Sequence, residues 1–371
     1  MINQSKITNK NIYFDHNATS PIDKNVKEAI FNMYESPLNA SSAHFYGRYA
    51  RQILENSRTL IKSILSLDES HELIFTSGCT EANNIVLNNF PNISKICSGI
   101  EHSSITNIIN NSIIPVNKDG ILDLQFIEDY CSKSSKQILL SFTYANNQTG
   151  IIQPVKKIIR LVKKYNVILH CDVTQAVGRI HIDLQDIDLI TFSSHKFGGP
   201  IGSGGLLYNK ILKLTPMFKG GGQEFQLRPG THNIISIYGM SIAFKHLNSI
   251  IEKFKKTEKL RIYLENNIRN IANKAIIFGI NSNRLPNTSS ISMPKVNSET
   301  QLIYFDLYGL SVSVGAACSS GKVVTSNAQL MMGYPKGVSS NVVRISLGPN
   351  NHMDDIIHFV KVWETLYVNS E

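Results

Sequence analysis

Cysteine is scarce in this chain. Five residues in 371, Cys79, Cys97, Cys131, Cys171 and Cys318, are odd in number and include no CxxC pair. A disulfide framework and a structural zinc site both need paired cysteines, so the thiols are expected to be reduced and mostly buried, and no metal site is expected. Long apolar runs are also missing, and none approaches the roughly 18 residues of a membrane span. The first ten residues, Met1-Ile2-Asn3-Gln4-Ser5-Lys6-Ile7-Thr8-Asn9-Lys10, lack the apolar centre of a secretory signal, so a cytoplasmic protein without membrane contact is expected. The net charge is +9, yet the lysines are scattered and form no long basic block, which argues against direct nucleic-acid binding. There is no internal repeat and no low-complexity tract.

What is present is the composition of a globular protein, with 42% hydrophobic and 18% charged residues, long enough for one large core and a smaller one. Residues 46–65 place Tyr46, Ala50, Ile53, Leu54, Leu60, Ile61, Ile64 and Leu65 near helical spacing, which predicts a long amphipathic helix. Short apolar runs follow at 73–75, 95–97, 138–140, 167–169 and 189–192, with helical segments such as 155–165 between several of them. Strands alternating with helices predict an α/β fold whose mostly parallel sheet is covered by helices. Glycines at 198–205 and 220–222 read as turns, and 234–256 reads as helical. A large domain is expected over 14–250, and a smaller α+β domain over 1–13 and 251–371.

Two runs end in chemistry. Val167-Ile168-Leu169-His170-Cys171-Asp172 leads into Val173-Thr174-Gln175, and 187–192 leads into Ser193-Ser194-His195-Lys196. Ligands of open α/β sheets bind beyond the carboxyl ends of the strands, so an acid and an amine should share one crevice. A carboxylate beside a heterocyclic nitrogen and a lysine able to form a Schiff base are what pyridoxal phosphate chemistry requires. Asp172 would keep the ring nitrogen protonated, and Lys196 would supply the amine that condenses with the aldehyde. Ser77-Gly78-Cys79-Thr80 has the character of a glycine turn opening a helix, whose free N–H groups suit a phosphate. Arg344, in an Arg-x-Ser-x-Gly context, suits a carboxylate, because a planar guanidinium donates two parallel hydrogen bonds. Cys318, in Gly315-Ala316-Ala317-Cys318-Ser319-Ser320-Gly321, sits among small residues that describe an accessible loop, whereas Cys79, Cys97 and Cys171 fit buried positions better.

These blocks, taken in order with Tyr13-Phe14-Asp15-His16-Asn17-Ala18-Thr19, Glu101-His102, Ala145-Asn146-Asn147-Gln148-Thr149-Gly150 and 220–231, resemble the cysteine desulfurases of the iron–sulfur assembly type, in the class V aminotransferase group. The resemblance covers nearly the whole chain. It implies an aspartate-aminotransferase-like fold type I, pyridoxal 5'-phosphate as cofactor, and L-cysteine as substrate. It implies Lys196, His102 and Cys318 as catalytic residues, His102 stacking on the ring and moving protons, and Cys318 taking the sulfur as a persulfide while alanine leaves. Gln175 and Asn147 are implied at the cofactor's hydroxyl, with Asn147 also near the substrate carboxylate held by Arg344. Cys79, Thr80, Ser193 and His195 are implied at the phosphate, together with Thr231 from the partner subunit of a homodimer. The persulfide would pass to a sulfur acceptor or iron–sulfur scaffold protein, or serve tRNA thiolation.

The chain departs from the family pattern at Gln148, where a glutamate is usual, at Pro229 and Ile201, and at the apolar residues Val312, Val314 and Ala317 before Cys318. It also ends soon after Arg344, without the long tail that some members use to dock an acceptor. A selenocysteine lyase or related lyase, and an inactive paralogue acting as a binding partner in a sulfur-transfer complex, are the competing readings.

Overall fold

The structure is a computed structural model that describes residues 11–67, 69–315 and 327–370. A short strand β1 (Ile12–Tyr13) precedes a seven-stranded sheet of β2 (His71–Thr76), β3 (Ser94–Ser98), β4 (Ile113–Ile114), β5 (Ile138–Thr143), β6 (Val167–Asp172), β7 (Leu189–Ser193) and β8 (Gly204–Asn209). Their spatial order is β2-β8-β7-β6-β5-β3-β4. Neighbours from β7 to β4 are parallel, and β8 alone runs against them, pairing antiparallel with both β7 and β2. All six residues of β5 are buried, the pattern of a strand covered on both faces by crossover helices.

The glycines at 204 and 205, expected to be a turn, are instead the start of β8. A Cβ on Gly204 would lie 2.6 Å from the Phe192 carbonyl oxygen and 2.7 Å from the Gly78 Cα, and one on Gly205 would run into the Phe192 ring. Glycine in a strand interior marks such close backbone approaches. Here it lets the Gly78 turn lie directly on the sheet.

The first long helix, Phe45–Ile64, begins at His44, whose ring accepts from the Gly47 N–H, and ends with Lys62 in its last turn, where a cation meets the negative end of the helix dipole. Ala50, Leu54, Ser57, Arg58 and Ile61 form its buried stripe, packed on the helix Ile234–Lys245. The helical stretch expected over 234–256 is broken at His246 and resumes as Leu247–Lys255. Among the described residues no single helix is long and apolar enough to cross a membrane.

A four-stranded antiparallel sheet, in the order β12-β13-β10-β9, belongs to a second core: β9 (Ile276–Ile277), β10 (Thr288–Ser292), β12 (Ser313–Val314) and β13 (Val342–Ser346). Beside it β1 pairs in parallel with β11 (Leu310–Ser311). Phe14, Leu264, Phe305, Phe359 and Trp363 fill this core, while Ile250, Ile251 and Phe254 pack with the large one. Asn17 ties the two together. Its side-chain amide donates to the Asn147 carbonyl and the Thr288 hydroxyl, both at 3.0 Å.

Candidate active site

The carboxyl ends of the co-directional strands share one edge of the sheet. Thr143 of β5 is the register partner of Asp172, and Asp172 that of Thr191 on β7. Above this edge opens a cavity of about 660 Å³, within the usual range for a small-molecule site. Ten of the residues singled out above line it: Cys79, Thr80, His102, Asn147, Asp172, Gln175, Ser193, His195, Lys196 and Arg344. Thr231 is exposed and does not line it. Cys318 lies outside the described residues.

At one end the helix Cys79–Asn88 points its N-terminus at the cavity. Gly78 precedes it and no side chain caps it, so its first N–H groups are available to an anion. Ser193 and Thr80 bring hydroxyls to the same end, and the Ser193 hydroxyl is 3.6 Å from where a Gly78 Cβ would stand. His195 bonds through Nδ1 to the Thr19 hydroxyl at 3.1 Å. Burial first, then the charges of Lys196 and Arg179, pull its pKa down to about 4, so its imidazole is neutral at pH 7.

Asp172 is held by three donors. Its Oδ1 accepts from the Thr174 N–H at 2.9 Å, and its Oδ2 accepts from Asn83 Nδ2 at 3.1 Å and from the Cys79 thiol at 3.3 Å. Asn83 was not singled out from the sequence. It reaches further, donating to the Ser104 hydroxyl at 3.0 Å. Ser104 in turn meets His102, whose Nδ1 accepts from the Ser104 N–H at 3.1 Å as the cap of a short helix. With Nδ1 an acceptor, a neutral His102 carries its proton on Nε2. Glu101, beside it, accepts from the Ser98 hydroxyl and the Thr143 N–H, but its Oε2 has no partner among the described residues. Burial, with a smaller contribution from Asp172, raises its pKa to about 8, so it is largely a neutral acid at pH 7.

Lys196 ends a single 3-10 turn after β7, and its Nζ donates to the main-chain carbonyls of Asn17 at 2.9 Å and Ala18 at 2.6 Å. The Gln175 amide donates to the Asn17 carbonyl at 3.0 Å and accepts from Arg179. That pairing fixes which end of the amide is nitrogen. Arg344 comes from the other core, on β13. Its Nη2 is paired with Asp15 at 2.5 Å and its Nη1 donates to the Asn147 carbonyl at 3.1 Å, while its buried Nε has no partner among the described residues.

The donor set fits pyridoxal phosphate on the structure's own terms. An uncapped helix end with hydroxyls, a carboxylate, an oriented amide and a primary amine surround one cavity, and a buried guanidinium with an unused N–H closes it. Among the described residues no cluster of His, Cys, Asp and Glu suits a metal ion.

The aminotransferase class-V family profile matches residues 12–359. The chain is 32% identical to the cysteine desulfurase IscS of Dictyoglomus turgidum over 377 residues, covering 96% of this chain and 94% of the relative. It is also 32% identical to cysteine desulfurase IscS 1 of Archaeoglobus fulgidus, covering 94% and 95%. Among solved structures, the NifS-like protein from Rickettsia africae superposes with a TM-score of 0.91 at 36% identity, over 96% of this chain and 99% of that one. A structure described as SspA in complex with cysteine superposes with a TM-score of 0.76 at 25% identity, over 92% and 99%.

Proposed function

The chain belongs to the class-V aminotransferase family, and on that premise we propose that it is a cysteine desulfurase, using pyridoxal 5'-phosphate to take the sulfur of L-cysteine onto Cys318 and release L-alanine. The observation that carries this reading is the convergence of Asp172, Gln175, Lys196 and Arg344 on one cavity beside an uncapped helix end. The relatives named cysteine desulfurase favour that reaction over transamination.

When bound, the cofactor supplies an electron sink for the bonds at the substrate's α-carbon. Lys196 offers the amine that holds the cofactor and later the base or acid at the α-carbon. Asp172, kept a hydrogen-bond acceptor by Thr174, Asn83 and Cys79, would pair with the ring nitrogen and keep it protonated. The second N–H of Gln175, left over after the Asn17 carbonyl, would serve the cofactor's phenolic oxygen, and the Gly78 turn with Ser193, Thr80 and His195 would hold its phosphate. His102, with its proton on Nε2 when neutral, would stack on the ring and move protons there. The Cys318 thiolate attacks the substrate sulfur, an S–S bond forms, the C–S bond breaks, and its electron pair stays with the carbon skeleton. That carbon takes up a proton and leaves as alanine, so cysteine and one protein thiol become alanine and one protein persulfide.

Incubating the purified protein with cysteine and examining the products by mass spectrometry tests the reading. Alanine should appear together with one added sulfur on the Cys318 peptide. Alanine without that sulfur would favour a lyase that needs no persulfide.

Arg344 fixes the substrate's carboxylate. Arg344→Lys keeps the charge but loses the planar fork, so KM for cysteine should rise on the order of tenfold or more while the cofactor stays bound. Steady-state kinetics with an absorbance spectrum of the variant separate the two; an unchanged KM would remove Arg344 from this role.

A homodimer fits the same reading. Phe31, Tyr34, Phe45, Tyr46 and Tyr49 are exposed at 72%, 71%, 67%, 47% and 46% on or beside the helices Lys24–Phe31 and Phe45–Ile64, both packed on Ile234–Lys245. Pro200 touches that helix at Gly239, and the next residues, Ile201 and Gly202, line the cavity mouth. A partner covering the aromatic patch would form the homodimer in which the resemblance gives Thr231 to the neighbouring subunit's phosphate. Sedimentation equilibrium should give twice the chain mass, and a monomer at micromolar concentration would contradict the shared site.

A further inference from the structure

Behind the cavity wall lies a cation that the chemistry above does not use. Arg179 is fully buried, 0% exposed, in the segment that follows Gln175. Its partners are all neutral: Nη1 donates to the Gln175 side-chain oxygen and, at 3.1 Å, to the Gln175 carbonyl, while Nη2 donates to the His16 carbonyl at 2.8 Å and the Lys196 carbonyl at 3.4 Å. Its Nε has no partner among the described residues, and its guanidinium rests 5.5 Å from the Phe254 ring centre. A buried charge normally has a counter-charge, because its desolvation is otherwise uncompensated.

Among the described residues no carboxylate of the site provides one. Asp15 is paired with Arg344 and Glu81 with Arg228. Asp172 is engaged by Thr174, Asn83 and Cys79, and Glu101 by Ser98 and Thr143. Titratable groups near Lys196 among the described residues include His195 beside it, His102 in the same cavity lining, and His16, whose carbonyl shares Arg179 with that of Lys196. Burial followed by the Arg179 charge pulls the pKa of His16 down to about 3. Arg179 itself is pushed down to about 9, by burial and then by Arg344, and so remains a cation at pH 7.

We propose that Arg179 is a positioning residue of this site, holding the Gln175 amide in one orientation and, as an uncompensated buried cation behind Lys196, favouring the unprotonated form of the Lys196 nitrogen. The negative charge it lacks is supplied when an anionic cofactor fills the cavity. The inference rests on reading the cavity as a pyridoxal phosphate site.

The test is a pH titration of the holoenzyme's visible absorbance, which follows protonation of the Lys196 nitrogen, in wild type, Arg179→Met and Arg179→Lys. Borohydride trapping and mass spectrometry first establish that each protein carries cofactor on Lys196. The Met variant should titrate at least about one pH unit higher, a tenfold gain in proton affinity, and the Lys variant should stay near wild type. A cofactor-loaded Met variant with the wild-type midpoint overturns the inference. If the Met variant does not fold, the Lys variant decides, because a packing role would shift it by a comparable unit whereas a charge role would not. Wild-type protein that binds no cofactor overturns the underlying reading, and this inference with it.

Discussion

Lys196→Ala should yield a folded protein with no trapped cofactor chromophore and turnover of cysteine reduced on the order of 10³-fold or more. The side chain ends a 3-10 turn whose carbonyl is bonded by the Ser20 hydroxyl at 3.0 Å, so the backbone around it is held by contacts that the substitution leaves in place. What disappears is the amine that donates to the Asn17 and Ala18 carbonyls; the Asn17 carbonyl keeps the Gln175 amide, and both residues border the cavity, where water replaces the amine. Stability should therefore fall little while chemistry is lost. Lys196→Arg separates charge from nucleophilicity: it retains a cation against both carbonyls but cannot condense with an aldehyde, and it should be as inactive as the alanine variant. Thermal melts, absorbance spectra and sulfide release distinguish these effects. A Lys196→Ala protein that kept its chromophore and its turnover would place the amine elsewhere.

The fold was legible where the sequence is periodic. β5, β6 and β7 read as apolar runs because both faces of a central parallel strand are covered, and the helix Phe45–Ile64 read as an amphipathic stripe. β8 was not legible, because its two glycines answer tertiary contacts rather than a local turn: Gly204 lies against the Gly78 and Phe192 backbone, and Gly205 against the Phe192 ring and the Leu73 side chain. The site divides similarly. Asp172, Gln175 and Lys196 stand at strand ends, where topology alone directs them to one crevice. Asn83 and Arg179 lay beyond reach: nothing local distinguishes an asparagine on the inner face of a helix, or an arginine after a glycine, from a solvated side chain. The Cys79 thiol was read for its place at the phosphate loop, while its side chain turns to Asp172. Only the packing of the helix Cys79–Asn88 against β6 and β7 brings those groups together.

Cys318→Ala should abolish persulfide formation and lower sulfide release on the order of 10²-fold or more, while leaving the cofactor bound and its spectrum still responsive to added cysteine. Elimination supports the choice of thiol. Cys79, Cys97, Cys131 and Cys171 are all buried, and burial raises the pKa of every one of them, that of Cys131 to about 11, so none is a thiolate at neutral pH. Chain geometry supports it independently. Ser313 of β12 is the register partner of Arg344, and Cys318 follows Gly315 by three residues, a reach of about 11 Å at full extension. On the far side of the same segment, Met331 packs against Gly99, two residues before Glu101 and three before His102 in the cavity wall. The described residues on either side of Cys318 thus reach the cavity wall, Ser313 at Arg344 and Met331 at Gly99. The two variants should part cleanly by spectrum: Lys196→Ala loses the chromophore, Cys318→Ala keeps it and stalls before the C–S bond breaks. Undiminished sulfide release from Cys318→Ala, with the added sulfur absent from every cysteine, would leave the site as that of a lyase releasing its sulfur directly.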